Sequence, residues 1–170
     1  MQRKLYLAGL LCLCLLLKAC GQTTDKAYAL MLKSLYRNTV PVILPTQLSA
    51  LLQQHNRPVL IDTRSEEEYQ VSHLNGARFA NYDSFDPAQL KDVAKDSPIV
   101  VYCSVGYRSE RVGETLQEAG FTNVQNLYGG IFEWVNQGHP VYNKKGKTEK
   151  VHAYSRSWGV WLRKGEKVYE

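Results

Sequence analysis

A cysteine, a glycine and an arginine stand close together after a short apolar run. The run Ile99–Tyr102 leads directly into Cys103, Gly106 follows three residues later, and Arg108 follows two residues after that. A five-residue turn that contains glycine can fold so that its backbone N–H groups point at the cysteine sulfur. A helix starting at Arg108 would add the partial positive charge of its N-terminus and the full charge of the guanidinium. Both charges favour thiolate over thiol, so Cys103 is predicted to be a nucleophile that attacks sulfur.

Strands that alternate with helices are predicted to position this cysteine. The apolar runs Pro58–Asp62 and Pro98–Tyr102 are typical of strands buried on both faces, which places Asp62 at the carboxyl end of its strand. A helix from Arg108 to about Ala119 and a strand at Asn123–Leu127 follow. The alternation predicts an α/β fold with three layers, in which helices flank a central parallel sheet. Ligands of such folds bind at the carboxyl ends of the strands.

Shorter elements are predicted between and before these strands. Residues 21–39 indicate a linker that runs into a short helix. The others are a strand at Val40–Leu44, a helix capped by Thr46, a helical turn at Glu66–Val71, a turn at His73–Ala77, a helix at Asp86–Val93 and a last helix after Gly129-Gly130.

Four short motifs, spread in order along the chain, resemble the signatures of the rhodanese superfamily. They are Asp62-Thr63-Arg64 at a strand end, His73-Leu74-Asn75-Gly76-Ala77 in a turn, Cys103, Gly106, Arg108 and Ser109 in the loop, and Gly120-Phe121-Thr122-Asn123-Val124 with Gly129-Gly130 and Trp134. The departure is Leu74-Asn75, where many relatives have Ile-Pro. The resemblance covers about residues 40–141, and it implies a rhodanese-like fold and a sulfurtransferase.

The resemblance also implies roles for individual residues. Cys103 would be the catalytic residue, carrying sulfane sulfur as a persulfide between a thiosulfate-like anionic donor and a thiophilic acceptor. The implied substrate-binding residues are Ser104, Val105, Gly106, Tyr107 and Arg108. The residues expected to support the loop structurally are Asp62, Arg64 and Ser109. No metal or organic cofactor is expected, because no cluster of His and Cys has the spacing of metal ligands.

Two other functions remain open at this point. A persulfide carrier or partner-docking module could share all these residues and turn over no substrate. Related cysteine phosphatases and arsenate reductases place five residues between Cys and Arg, whereas four separate Cys103 from Arg108, and the smaller loop suits a sulfur atom.

Residues 1–19 have the pattern of an export signal. Arg3 and Lys4 form a positively charged start, and Leu5–Leu17 is too short to span a bilayer comfortably as a permanent helix. The segment Leu17-Lys18-Ala19-Cys20 resembles the bacterial lipobox, in which the cysteine receives a diacylglycerol, although the lysine departs from that motif. We expect a membrane-anchored lipoprotein of the bacterial cell envelope that faces the periplasm, with an ordinary signal-peptidase site or an uncleaved anchor as alternatives.

The cysteine count fits that location. Of the four cysteines, Cys12 and Cys14 lie in the apolar run and Cys20 would be lipidated, so the mature domain retains Cys103 and forms no intramolecular disulfide. The expected partners are a small sulfur-containing anion as donor, an unknown thiol or protein as acceptor, and the membrane. Nucleic acid is not expected, since the sequence has no recognised motif for it.

Residues 142–170 form a basic, aromatic C-terminal extension beyond the rhodanese-like part. It has eight lysines and arginines, three acidic residues, and five aromatic residues at Tyr142, Tyr154, Trp158, Trp161 and Tyr169. A disordered basic tail would have fewer aromatic residues. We therefore predict that Val151–Leu162 packs on the domain, with a mobile tail that binds membrane or partner as the alternative. The predicted organisation is a signal at 1–19, a linker and helix at 20–39, the domain at 40–141 and the extension.

Overall fold

The computed structural model describes residues 26–169. Residues 36–169 belong to one compact unit, and helix α1 (residues 26–35) belongs to a separate unit. The short helix predicted in this part of the chain is confirmed by α1. The predicted export signal and the lipidation site Cys20 lie outside the described residues. Among the helices of residues 26–169, none has the length and apolar character needed to cross a membrane.

A five-stranded parallel sheet forms the centre of the unit. Its strands are β1 (Val42–Ile43), β2 (Val59–Asp62), β3 (Arg78–Phe79), β4 (Ile99–Tyr102) and β5 (Val124–Leu127). Their order across the sheet is β1-β5-β4-β2-β3, and every neighbouring pair runs parallel. All four residues of β4 are buried, as expected of a central strand covered on both faces. The predicted α/β fold is confirmed.

Five further helices surround or follow the sheet. They are α2 (Pro45–Leu51), α3 (Glu66–Val71), α4 (Tyr107–Glu118), α5 (Gly130–Asn136) and α6 (Arg156–Gly159). The prediction that Thr46 caps α2 is wrong. The helix begins at Pro45, whose fixed φ suits the first helical position, and the Gln47 side chain accepts from the backbone N–H of Leu44 at 2.9 Å.

The helix predicted over Asp86–Val93 is also different in the structure. It is a 3₁₀ turn at Pro87–Leu90, preceded by another at Tyr82–Ser84. The Asp86 carboxylate accepts from the Ala88 N–H at 2.8 Å. This local bond satisfies a backbone donor within a single short turn, which is common for connectors.

The register of the sheet places the chemistry at one edge. Asp62 at the end of β2 pairs with Tyr102 at the end of β4, and the Thr63 N–H donates to the Tyr102 carbonyl at 2.9 Å. Because Cys103 follows Tyr102 directly, Asp62 and Cys103 lie at the same carboxyl edge. Beneath them, Ile61 and Val101 belong to the apolar core that packs between the sheet and α4.

The C-terminal extension is folded onto the domain. It contains an antiparallel hairpin of β6 (Val141–Asn143) and β7 (Gly146–Thr148), and a parallel pair of β8 (Lys150–His152) and β9 (Glu166–Val168), with α6 between the last two strands. The side chains of Val151, Ala153 and Leu162 are fully buried, and β8 packs against α3. The predicted packing of residues 151–162 is confirmed, whereas α6 was not predicted.

Candidate active site

Cys103 begins a tight loop between β4 and α4, here called the cysteine loop (residues 103–107). The side chain of Cys103 is buried, with 1% of the residue exposed. Gly106 has φ 101°, a conformation that favours glycine. This conformation allows the Gly106 N–H to turn back toward the start of the loop and donate to Cys103 Sγ at 3.1 Å. A backbone amide therefore contacts the predicted nucleophile, as the sequence suggested.

The first two carbonyls of the cysteine loop are held by the N-terminus of α5. The Cys103 carbonyl accepts from the Ile131 N–H at 2.9 Å, and the Ser104 carbonyl accepts from the Phe132 N–H at 3.1 Å. Gly130 permits this approach, since a Cβ at that position would lie 2.3 Å from the Cys103 carbonyl oxygen. The otherwise unpaired first amides of α5 thus become part of the site.

Tyr36 holds the third carbonyl. Its hydroxyl donates to the Val105 carbonyl at 2.7 Å and accepts from the Gly129 N–H at 2.9 Å. Burial raises the pKa of Tyr36, so the phenol stays protonated and able to donate. A Cβ on Gly106 would lie 2.0 Å from the Tyr36 hydroxyl oxygen. Gly106 is therefore required both for its backbone conformation and for the space that Tyr36 occupies.

Asn126 at the third position of β5 holds the fourth carbonyl. Its Nδ2 donates to the Gly106 carbonyl at 2.9 Å, and its Oδ1 accepts from the Ser109 hydroxyl at 2.8 Å. Both Asn126 and Ser109 are fully buried. Ser109, which the family resemblance assigned to structural support, lies behind the loop in this network.

These contacts orient the backbone amides of the loop. In a planar trans peptide the N–H points to the side opposite the C=O. Since the carbonyls of residues 103–106 are all bonded to groups outside the loop, the N–H groups of residues 104–107 face the other way. This is the arrangement of backbone dipoles that stabilises an anion in a concavity. Within it, the bond from Gly106 to the sulfur is the directly observed contact.

Arg108 forms a two-fold ion pair with Glu68 of α3. Its Nη1 donates to Glu68 Oε2 and its Nη2 donates to Oε1, both at 2.9 Å. Ser104 Oγ donates to Glu68 Oε1 at 2.7 Å and accepts from Arg108 Nη2 at 3.0 Å. Burial opposes ionisation of Glu68, but the hydrogen bond and charge of Arg108 and the charge of Arg64 outweigh it and lower the pKa of Glu68 to about 2. The carboxylate is therefore charged at neutral pH.

The C-terminal extension covers this ion pair. The Tyr154 ring lies 5.2 Å from the Arg108 guanidinium carbon, within the range of a cation–π contact. Tyr154 has φ 63°, and its N–H donates to His152 Nδ1 at 3.2 Å. Burial lowers the pKa of His152, while the nearby Glu68 carboxylate acts in the opposite direction. The Arg108 side chain retains 20% exposure and Glu68 retains 2%, so the arginine side of the pair, here called the opening of the site, is partly open to solvent.

Asp62 and Arg64 form a second two-fold ion pair, fully buried beneath the loop. Arg64 Nε donates to Asp62 Oδ1 at 2.9 Å and Arg64 Nη2 donates to Oδ2 at 2.7 Å, with both side chains at 0% exposure. Arg64 Nη2 also donates to the Ser72 carbonyl at 2.5 Å. Burial and the charge of Asp62 raise the pKa of Tyr102 well above its usual value, and its hydroxyl oxygen accepts from the Leu74 N–H at 3.0 Å.

Two other residues of the sequence motifs have peripheral positions. Tyr107 is 43% exposed, and its ring contacts the Arg111 guanidinium at 5.5 Å. Its contribution to the loop is its backbone amide. His73 stacks on Tyr69 with ring centroids 4.0 Å apart and pairs through its backbone with Tyr142. His73 is therefore a turn residue that joins the domain to the extension.

Comparison with protein families agrees with this geometry. A family model described as a rhodanese-like domain matches residues 44–137, which is more than half of the chain. This chain belongs to the rhodanese-like domain family. The resemblance inferred from the four motifs is confirmed.

Two longer curated proteins share the rhodanese-like region. The chain is 34% identical over 101 residues to a tRNA uridine(34) hydroxylase of Protochlamydia amoebophila, covering 54% of this chain and 31% of the relative. It is 30% identical over 99 residues to a probable adenylyltransferase/sulfurtransferase, MoeZ, of Mycobacterium tuberculosis, covering 58% and 25%. The chain thus spans less than a third of the length of either relative.

A solved rhodanese-like domain protein from Staphylococcus aureus has a similar fold. It is 25% identical, with a TM-score of 0.54, and the match covers 61% of this chain and 98% of that one. Nearly all of that protein thus aligns with about three fifths of this chain.

Several residues of this rhodanese domain's site were not identified from the sequence. Glu68 could have been noticed, since Ser65 and Glu68 form a capping box at the start of α3, but that pattern does not reveal its contact with Arg108. Tyr36 and Asn126 give no local signal. His152 and Tyr154 lie outside the family match. Among residues 26–169, no group of three or more His, Cys, Asp or Glu side chains is arranged to hold a metal ion.

Proposed function

We propose that this rhodanese domain is a sulfurtransferase that carries sulfane sulfur as a persulfide on Cys103, taking it from a thiosulfate-like donor. The observation that carries the proposal is the cysteine loop, whose carbonyls are all bonded outward and whose Gly106 N–H donates to Cys103 Sγ at 3.1 Å. An arrangement of amides around a buried sulfur stabilises the thiolate, and it can also stabilise the terminal sulfur of a persulfide.

The proposed reaction has two steps. It needs no oxidant or reductant besides the sulfur donor and the sulfur acceptor. In the first, the Cys103 thiolate attacks the outer sulfur of thiosulfate, a new S–S bond forms, and sulfite leaves with the electron pair of the broken S–S bond. In the second, a nucleophile attacks the terminal sulfur of the persulfide, and Cys103 leaves as thiolate. With cyanide as the acceptor, the product is thiocyanate. No general base is needed where the attacking group is already a thiolate.

The comparisons support the sulfur chemistry at the level of the family. One relative is named a probable sulfurtransferase and another a tRNA uridine hydroxylase, and the match covers the domain that contains Cys103. The short loop, with four residues between Cys103 and Arg108, supports transfer of sulfur over binding of a tetrahedral oxyanion. The acceptor is proposed to be a thiol or a protein.

The proposed location is the bacterial cell envelope, with the domain anchored through a lipid on Cys20. The lipobox-like segment supports this. In membrane fractionation, wild-type protein should be found with membranes and Cys20→Ser should be released or left unprocessed. A soluble wild-type protein with an unmodified Cys20 would contradict the anchor and leave the sulfur chemistry untouched.

Intact-protein mass spectrometry tests the sulfur-transfer function. After incubation with an excess of a sulfane donor, wild-type protein should gain the mass of a single sulfur atom, and cyanide should remove it as thiocyanate. Cys103→Ala should take up no sulfur while keeping its fold, as judged by circular dichroism, because the thiol's role is chemical. Wild-type protein that takes up no sulfur from any sulfane donor, yet hydrolyses a phosphate ester at Cys103, would overturn the proposal.

A further inference from the structure

The cation nearest to the cysteine loop is already neutralised. Arg108 directs both terminal nitrogens at Glu68, and the third hydrogen bond of this group goes to Ser104 Oγ. Glu68 is 2% exposed and its pKa is lowered to about 2, so its negative charge is permanent at neutral pH. The ion pair beside the cysteine loop therefore consists of one positive and one negative side chain within hydrogen-bond contact.

We propose that Glu68 determines donor specificity by selecting sulfane donors that carry a single negative charge over dianionic thiosulfate. This inference rests on the proposed sulfur-transfer function. A dianion that approaches Cys103 must either bind beside the Glu68 carboxylate or displace it from Arg108. A persulfide or thiosulfonate with a single negative charge experiences half of the repulsion from the Glu68 carboxylate. It can bind to the loop amides without displacing Glu68 from Arg108. The favoured class is therefore an organic sulfane donor of low charge.

Tyr154 of the extension acts as a positioning residue for the same pair. Its ring covers the guanidinium at 5.2 Å, and its own backbone is held by His152. An arginine confined between a carboxylate and an aromatic ring has fewer orientations in which it can leave the pair to meet a dianion. The extension thereby contributes to the specificity of a site whose nucleophile belongs to the sheet domain.

The reaction with a thiosulfonate matches the reaction with thiosulfate except in charge. The Cys103 thiolate attacks the outer sulfur of benzenethiosulfonate and forms a new S–S bond with it. The bond between the outer sulfur and the sulfonyl sulfur breaks, and benzenesulfinate leaves with its electron pair. The transferred atom is the same, so the ratio of the two rates reports how the site treats the additional negative charge.

The experiment measures single-turnover loading of Cys103 by thiosulfate and by benzenethiosulfonate, using mass spectrometry of quenched samples of the full chain. Glu68→Gln keeps the size of the side chain and one acceptor oxygen, and it removes the charge together with the second acceptor for Arg108. We expect the thiosulfate-to-thiosulfonate rate ratio to rise about tenfold or more in this variant, and to rise by a smaller factor in Tyr154→Ala. Asp92→Asn is the matched control, because it removes one charge from the exposed Arg78–Asp92 pair and should leave the ratio unchanged.

The outcomes separate the two proposals. Loading from both donors with an unchanged ratio in Glu68→Gln, or in Tyr154→Ala where Glu68→Gln fails to fold, overturns the role of Glu68 and leaves sulfur transfer standing. A ratio that shifts equally in Asp92→Asn also overturns it, since the effect would then reflect overall charge. Wild-type protein that loads from neither donor overturns sulfur transfer itself.

Discussion

Two arginine–carboxylate pairs of similar geometry lie at the carboxyl edge of the sheet, and their surroundings differ. Asp62 and Arg64 are joined by two hydrogen bonds at 0% exposure, enclosed by Tyr102 and the Ser72 carbonyl. Glu68 and Arg108 are joined by two hydrogen bonds of equal length, yet Arg108 retains 20% exposure under the ring of Tyr154. The same chemical pairing thus lies fully enclosed in one place and partly open to solvent in the other.

The comparison shows that the position of a charge, more than its type, decides its role. The Asp62–Arg64 pair is enclosed at 0% exposure, with Arg64 Nη1 lacking a hydrogen-bond partner, so a ligand cannot reach it from solvent and the pair contributes to the stability and shape of the site. In the proposal above, the partly exposed pair of Glu68 and Arg108 can exchange its partner for a substrate, and it affects selectivity for that reason. The following predictions test this division.

The largest expected effect is on stability, from breaking the buried pair. Asp62→Ala should lower the free energy of unfolding by about 3–5 kcal/mol, because the Arg64 guanidinium would remain buried without its carboxylate. Chemical denaturation measures this change. The control is Asp92→Ala, which breaks an exposed pair with Arg78 and should cost less than about 1 kcal/mol. Equal costs for the two variants would contradict the structural role of Asp62.

A second prediction concerns acid sensitivity at the opening of the site. The pKa of Glu68 is lowered to about 2 in the folded protein, below its value of about 4.3 in an unfolded chain. The stabilisation is therefore fully present above about pH 4.3 and is lost as the pH falls through about 2, by roughly 3 kcal/mol in total. Unfolding measured between pH 5 and pH 2 should show a steeper loss for wild-type protein than for Glu68→Gln. Parallel curves would show that the carboxylate is not held in its charged form by Arg108.

The smallest expected effect comes from Tyr36, an uncharged side chain that holds the cysteine loop. Tyr36→Phe removes the hydroxyl that bonds the Val105 carbonyl and the Gly129 N–H, and it should cost about 1–3 kcal/mol of stability. Loading of Cys103 should also slow, because the peptide that orients the Gly106 N–H is released. Tyr69→Phe is a matched control. The Tyr69 hydroxyl donates to the Ala77 carbonyl at 2.8 Å, and neither group belongs to the cysteine loop. This variant should lose similar stability without slower loading.

The parts of the site that are local in sequence could be predicted. Apolar runs ending in Asp62 and Tyr102 indicated buried strands, because a strand covered on both faces selects apolar residues. Gly106 indicated the loop after Cys103, because a positive φ favours glycine. The contact of Glu68 with Arg108 could not be predicted, since it joins two helices forty residues apart. Tyr154 could be expected to pack somewhere, but its place over Arg108 depends on how β8 lies against α3. The start of α2 at Pro45 was available in the sequence, but the predicted N-cap Thr46 lies two residues after the observed N-cap Leu44.

The anchoring of the four loop carbonyls has a consequence for how the protein matures. The groups that hold them come from Tyr36, Asn126, Ile131 and Phe132, so the chain must bring together segments that are nearly a hundred residues apart before the amides turn toward Cys103. Contacts of such long range form late in folding. While these segments are apart, nothing holds the loop amides around Cys103. The proposed reactivity of Cys103 therefore depends on the completed tertiary structure and should be absent from the unfolded chain.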